Sequence, residues 1–174
     1  MFKIVITGPE SVGKSLLAGK LAEIYDGFEV PEYARYYIEQ LDREYTFDDV
    51  EHIARTQISE YRQYEQLSKE KKKPVFFDTS LIITKVWFQI VYNRIPDWLE
   101  KAIRELKVDL FLLCYPDIPW RADAVRENGN IREELYELYK KELENYGFKY
   151  IEVRGIGEER LCAAKKAIDN FSIH

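Results

Sequence analysis

Eight consecutive residues, Gly8, Pro9, Glu10, Ser11, Val12, Gly13, Lys14 and Ser15, follow the spacing G-x-x-x-x-G-K-[ST] without deviation. Glycines at both ends let the backbone turn tightly, so that successive N–H groups point inward at phosphate oxygens. Lys14 then reaches the β- and γ-phosphates, and the Ser15 hydroxyl is a ligand for Mg²⁺. A helix starting near Lys14 adds the positive end of its dipole. At average residue usage the chance of such a match in a chain of this size is somewhat under ~1 in 100. The loop therefore predicts binding of a nucleoside triphosphate, ATP or GTP, with Mg²⁺.

Three further groups of residues could act on that triphosphate. Val30-Pro31-Glu32-Tyr33-Ala34-Arg35 offers Glu32 as a general base or sugar-hydroxyl acceptor, with Arg35 as its partner or a substrate contact. The alternative is that Glu32 is a first-turn helix acid paired with Arg35 three residues on. Phe76-Phe77-Asp78-Thr79-Ser80 ends an apolar run on a carboxylate, so Asp78 could hold Mg²⁺ or meet the acceptor, or could instead cap the following helix. Downstream, a polar stretch carries Arg121, Asp123 and Arg126, and a lid over about residues 117–131 would bring arginines to the transferring phosphoryl. The other reading of that stretch is a solvated surface loop. Among the aromatic residues, Tyr36, Trp87 and Tyr92 are positioned to stack on a flat heterocycle or to fill core. The loop at Gly155-Ile156-Gly157 is a candidate contact for the nucleotide base.

Strands and helices must hold these groups. Short apolar runs rich in β-branched residues fall at Phe2–Thr7, Phe28–Val30, Val75–Asp78, Leu110–Tyr115 and Tyr150–Val153, lengths that suit strands covered on both faces. Between them come helical periods. Ser15–Tyr25 stops at Asp26-Gly27, and a long amphipathic segment runs from Phe47 to about residue 70. A last helix carries Leu161, Ala164, Ile168 and Phe171. Alternation of this kind predicts an α/β fold, a three-layer P-loop architecture with a parallel five-stranded sheet and helices on both faces. Ligands then belong at the carboxyl ends of the strands, where the motifs cluster.

Composition narrows the function classes. At 174 residues the chain has room for a single domain, read as residues 1–174 throughout, with 46% hydrophobic and 33% charged residues. A net charge of −5 argues against a general binder of nucleic acid or anionic membrane. The run Lys69–Lys73 reads as a solvated helix C-terminus before Pro74. No apolar stretch approaches the ~20 residues of a membrane helix, and the opening MFKIVIT leads straight into the phosphate loop rather than a signal sequence. Cys114 and Cys162 fit buried thiols in a reducing cytoplasm, without metal-ligand spacing. A GTPase switch would carry Asn-Lys-x-Asp after a late strand, and Pro116-Asp117-Ile118-Pro119 stands there instead. A motor or AAA-type ATPase would be longer, with extra helical subdomains, so a small-molecule kinase is the best remaining fit. The acceptor could be a nucleoside or another small metabolite, and an ATP-binding regulatory module without transfer activity is the competing class.

The segments GPESVGKS at 8–15, PEYAR at 31–35, FFDTS at 76–80 and PDIPWRADAVR at 116–126 together resemble the nicotinamide riboside kinase domain of NadR-like proteins. Their order and spacing match across nearly the whole chain. The resemblance implies a P-loop kinase that uses ATP and Mg²⁺ to phosphorylate the ribose 5′-hydroxyl of nicotinamide riboside, giving nicotinamide mononucleotide for NAD synthesis. It also implies a stand-alone kinase domain, without the helix-turn-helix and adenylyltransferase modules of multifunctional relatives. On this reading Gly8–Ser15 cradle the phosphates, with Lys14 catalytic. Ser15 and Asp78 serve the metal, and Asp78 or Glu32 is the base. Arg121 and Arg126 close over the γ-phosphate, while Glu32, Arg35, Tyr36, Asp78, Trp87 and Asp123 contact the acceptor.

Overall fold

Strands whose two faces are both covered need apolar side chains at every position, and the central strands meet that demand. In the computed structural model, which describes residues 1–10, 12–117 and 131–172, the strands are β1 (Lys3–Thr7), β2 (Phe28–Val30), β3 (Val75–Asp78), β4 (Leu110–Cys114) and β5 (Tyr150–Val153). They form one parallel sheet in the order β2-β3-β1-β4-β5. β1 is central, with Ile4 opposite Phe76 on one side and Leu110 on the other. Each parallel step requires a crossover, which the helices provide. These are α1 (Lys14–Ile24), α2 (Tyr33–Glu39), α3 (Phe47–Lys71), α4 (Leu81–Tyr92), α5 (Leu99–Arg104), α6 (Arg132–Tyr146) and α7 (Glu158–Ser172).

The period-two alternation of strand side chains divides the core into two layers. Ile4, Ile6, Phe76, Leu110 and Leu112 face α1 and α7, packing on Leu17, Leu21, Ala164 and Ile168. Val5, Phe77, Phe111 and Leu113 face the opposite way, toward α3, α4, α5 and α6. The expected α/β architecture is the observed one, and β3 lies beside β1, so the carboxylate of Asp78 ends the strand next to the phosphate loop.

Local signals set the helix ends. Asp26 takes a left-handed conformation (φ 49°) where α1 stops. At the start of α3, Thr46 and Asp49 form a capping box: the Thr46 hydroxyl accepts from the Asp49 amide, and the Asp49 carboxylate accepts from the Thr46 amide at 2.7 Å. The lysine run behaves as a helix end, with Lys72 left-handed at the cap of α3 and Lys73 paired with Asp26 at 2.7 Å.

Several details depart from expectation. β1 begins at Lys3 and β4 ends at Cys114, each one residue shorter than its apolar run. α4 is capped by Ser80, whose hydroxyl accepts from the Ile82 amide at 3.3 Å, which leaves Asp78 outside the helix cap. Cys114 is buried as expected, but Cys162 is exposed, because it sits on the outer side of α7 while Ala164 and Ile168 face the sheet. Among the described residues, no helix is long and apolar enough to cross a membrane.

Candidate active site

The phosphate loop leaves β1 and enters α1 through two glycines in conformations that L side chains resist. Gly8 has φ 142°, and a Cβ there would stand 2.6 Å from the carbonyl oxygen of Cys114 on β4. Gly13 caps α1 in the left-handed region, φ 76° and ψ 27°. Pro9, Glu10 and Val12 form the rest of the described loop; Ser11 lies outside the described residues. Lys14 folds back over the loop, its Nζ donating to the Pro9 carbonyl at 2.8 Å. The next residue turns to β3, where the Ser15 hydroxyl donates to Asp78 Oδ2.

Asp78 is 4% exposed, and its other oxygen lies 3.4 Å from the Thr79 hydroxyl. Thr79 has φ 78°, and a β-branched residue in that region is a true conformational outlier. The strain is held by its amide, which donates to the Ile6 carbonyl of β1 at 3.0 Å. Reading FFDTS for its carboxylate passes over Thr79, since nothing in residue type announces a positive φ at threonine.

In front of this array lies a cavity of about 330 Å³, within the range of small-molecule sites. Its floor includes Gly8, Gly13, Lys14 and Ser15, and Glu10 and Val12 also line it. One wall is the N-terminal end of α2, with Glu32 and Arg35. A second is α4, with Thr79 just ahead of it and Ile83, Thr84 and Trp87 along it. α6 contributes Tyr139 to a third. Glu32 is the N-cap residue of α2, one position ahead of the first turn. Arg35 pairs with Glu39, one turn further on, at 3.5 Å. Trp87 lines the cavity and packs edge-on against Tyr45, another lining residue, at 5.0 Å between centroids. Burial, then the carboxylates of Glu10 and Glu32, raises the Tyr139 phenol above its ordinary value.

The structure thus brings together Lys14, Ser15, Asp78, Glu32, Arg35 and Trp87. Tyr36 stands apart, 62% exposed with its ring 6.2 Å from Tyr33, because one step along α2 from Arg35 turns the side chain outward. Tyr92 packs edge-on against Phe47 in the core. Arg121, Asp123 and Arg126 lie outside the described residues.

Two braces hold the walls. On the α2 side, Asp49 accepts from Tyr37 at 2.8 Å and from Arg43 at 2.7 Å, and the Arg43 guanidinium holds its carboxyl well below the usual carboxylate range. Tyr33 and His52 add a bond of 3.0 Å between the same helices. On the far side, buried Lys85 of α4 reaches Glu142 and Tyr146 of α6 at 2.7 and 3.0 Å, and Glu100 of α5 at 2.9 Å.

A second, open groove of about 590 Å³ lies at the ends of β4 and β5, lined by Asp117, Arg154, Gly155, Ile156, Glu158 and Glu159. The phosphate loop, at the end of β1, stands between cavity and groove. Arg160, 3% exposed in α7, bonds to the phosphate loop and to the groove side of it. Its composition-level signal is nil, since an arginine in the first turn of a helix is ordinarily solvated. Among the described residues, no group of three or more His, Cys, Asp or Glu is arranged to hold a metal by itself.

Similarity to known proteins follows the same outline. The trifunctional NAD biosynthesis/regulator protein NadR of Escherichia coli (strain K12) is 27% identical over 164 residues, covering 86% of this chain and 37% of that protein. The chain thus spans well under half the length of that relative. A crystal structure of NadR protein in complex with NR superposes with a TM-score of 0.82 at 22% identity, over 98% of this chain and 50% of that one. Deoxyadenosine kinase from M. mycoides, in a structure with products dcmp and dcdp, shares the fold at a TM-score of 0.60 and 14% identity, over 97% of this chain and all of the other. The similarity to NadR-like proteins, first carried by four short motifs, therefore extends along the sequence and through the fold. The AAA domain family matches residues 3–160, and the chain, with its P-loop and its 2-3-1-4-5 sheet, belongs to that family, although its length argues against an AAA-type ATPase with extra helical subdomains.

Proposed function

We propose that this protein is a kinase that transfers the γ-phosphoryl group of ATP to the ribose 5′-hydroxyl of nicotinamide riboside. The observation that carries this reading is the cavity in which the phosphate loop faces Glu32, Arg35 and the Trp87–Tyr45 pair. An anion-binding floor, a carboxylate and a flat aromatic wall suit, respectively, the triphosphate, the acceptor hydroxyl and a heterocycle. The NadR relatives support the choice of acceptor.

Catalysis of this transfer is mostly positioning and charge stabilisation. Loop amides and Lys14 hold the β- and γ-phosphates. Glu32, which lines the acceptor cavity, takes the hydroxyl proton as the oxygen–phosphorus bond forms and the bond to the β-phosphate oxygen breaks, releasing ADP and the phosphate monoester. Asp78 is engaged by Ser15 and Thr79, so it serves as the partner of Ser15. Those two oxygens fit Mg²⁺, which when bound would offset phosphate charge. We assign Arg121 and Arg126 to the transferring phosphoryl, and Arg35 and Asp123 to the acceptor. The adenine end goes to the groove beside Gly155, on the opposite side of the loop from the acceptor.

The test is ADP release from Mg·ATP with nicotinamide riboside, beside uridine, thymidine, deoxyadenosine and no acceptor. Turnover confined to nicotinamide riboside is expected. Turnover with another nucleoside alone would keep the kinase and move the acceptor. ATP binding with no turnover on any acceptor would favour the regulatory alternative.

A further inference from the structure

Arg160 uses its whole guanidinium on backbone that belongs to three separate segments. Nε donates to the Gly155 carbonyl at 2.8 Å, in the loop after β5. One terminal nitrogen donates to the Val12 carbonyl inside the phosphate loop. The other donates to the Tyr115 carbonyl at the end of β4 at 2.6 Å, and stands 3.6 Å from Asp117. Asp117 returns to the first segment, accepting from the Gly155 amide at 2.7 Å. The planar, always-charged guanidinium has donors in fixed directions, so these carbonyls are held in one rigid register. Burial sharpens this, since an unpaired carbonyl or guanidinium there would carry a desolvation cost.

The bracket joins the phosphate loop to the groove. Val12 lies in the loop that receives phosphates, whereas Asp117 and Gly155 line the groove beyond it. We infer that Arg160 is a positioning residue that couples occupancy of this groove by the nucleotide base to the geometry of the phosphate loop. A base seated against Gly155 steadies Gly155, and through the guanidinium steadies the Val12 carbonyl and the amides beside it. Binding energy from the non-reacting end of the nucleotide is thereby used at the reacting end. A lysine cannot substitute, because an ammonium cannot meet three carbonyls in a common plane. The inference rests on the proposed function in taking a nucleoside triphosphate as the ligand.

The experiment compares two probes, Mg·ATP and Mg·tripolyphosphate, which has the phosphates and no base. Dissociation constants are measured by calorimetry for the wild type, Arg160→Met, Arg160→Lys and Asp117→Ala. The last variant alters the bracket from a partly exposed side chain and keeps the test alive if Arg160→Met does not fold. In the wild type ATP binds more tightly than tripolyphosphate. In Arg160→Met that advantage shrinks by about tenfold, equivalent to about 1.4 kcal/mol, with Arg160→Lys close to Arg160→Met and Asp117→Ala shifted in the same direction. Equal weakening of both probes in every folded variant would reduce Arg160 to a structural tie and overturn the coupling, leaving the kinase reading intact. A wild type that binds neither probe would instead remove the kinase reading itself, and the coupling with it.

Discussion

Two carboxylates stand at the candidate site, and under the proposed function their surroundings suit them to different work. Asp78 is gripped by the hydroxyls of Ser15 and Thr79, whereas Glu32 opens onto the acceptor cavity. Glu32→Gln should therefore lower kcat by about 10²–10⁴, the range for loss of a general base, at every Mg²⁺ concentration. Asp78→Asn should instead raise the Mg²⁺ needed for half-maximal rate. Steady-state kinetics over a Mg²⁺ titration separates the two, and a reversed pattern would make Asp78 the base. Thr79 permits a second test. Left-handed backbone costs an ordinary residue roughly 1–2 kcal/mol, so Thr79→Gly should unfold no more easily than the wild type in urea while losing activity. Thr79→Ala, which keeps the strain and drops the hydroxyl, should be the less stable variant. Equal destabilisation by both would show that the backbone there is relaxed. Residue type and spacing singled out Lys14, Ser15, Glu32 and Asp78, and the fold brings these four to one place. Thr79 and Arg160 escaped notice because their significance lies in a dihedral angle and in burial, which spacing does not encode.

Whether Glu32 meets an acceptor depends on how α2 is held, and α2 is only seven residues long. A helix of that length does not persist alone in water. Its anchor is Asp49, at once half of a capping box and the acceptor for Tyr37 and Arg43. Asp49→Ala should cost about 1.5–3 kcal/mol, the range for losing hydrogen bonds to a charged group, and raise KM for the acceptor more than KM for ATP. The same carboxylate contributes a pH dependence whose sign is fixed. Its folded pKa is held below the unfolded value by Arg43 first, then Tyr37 and Thr46, against the opposing effect of burial. The unfolded state therefore takes up the proton first. The stabilisation is complete above about pH 5 and is lost progressively as the pH falls through and below the unfolded value near ~4. Urea unfolding at pH 7, 5, 4 and 3 should show a shallower acid decline for Asp49→Ala than for the wild type. Elements were the most legible scale: β2, β3 and β5 fall on their apolar runs to the residue, since run length bounds a strand. Of the three only β3 is covered on both faces, and the edge strands leave Glu29 and Ile151 exposed. The Asp49 brace was not legible, because Arg43, Tyr37 and Asp49 come together only when α2 folds back onto α3.

At the scale of the whole molecule, the sheet order sets β1 between two concave regions. The cavity lies toward β3 and α4, the groove lies at β4 and β5, and the phosphate loop follows the strand between them. The alternation of strands and helices announced that arrangement, because a parallel sheet gathers its loops at one edge. The two cysteines share none of this symmetry. Cys114 ends the strand against which Gly8 packs, is sealed from solvent, and has its thiol pushed up to about 11 by burial, while Cys162 is exposed. A thiol reagent at pH 8 should therefore titrate one sulfhydryl at once and the other only as fast as the molecule opens. ATP at a hundred times its dissociation constant should slow the second phase by up to about a hundredfold if opening is global. The chain would thus carry its own stopwatch, with the first sulfhydryl marking time zero and the second recording each excursion from the native state.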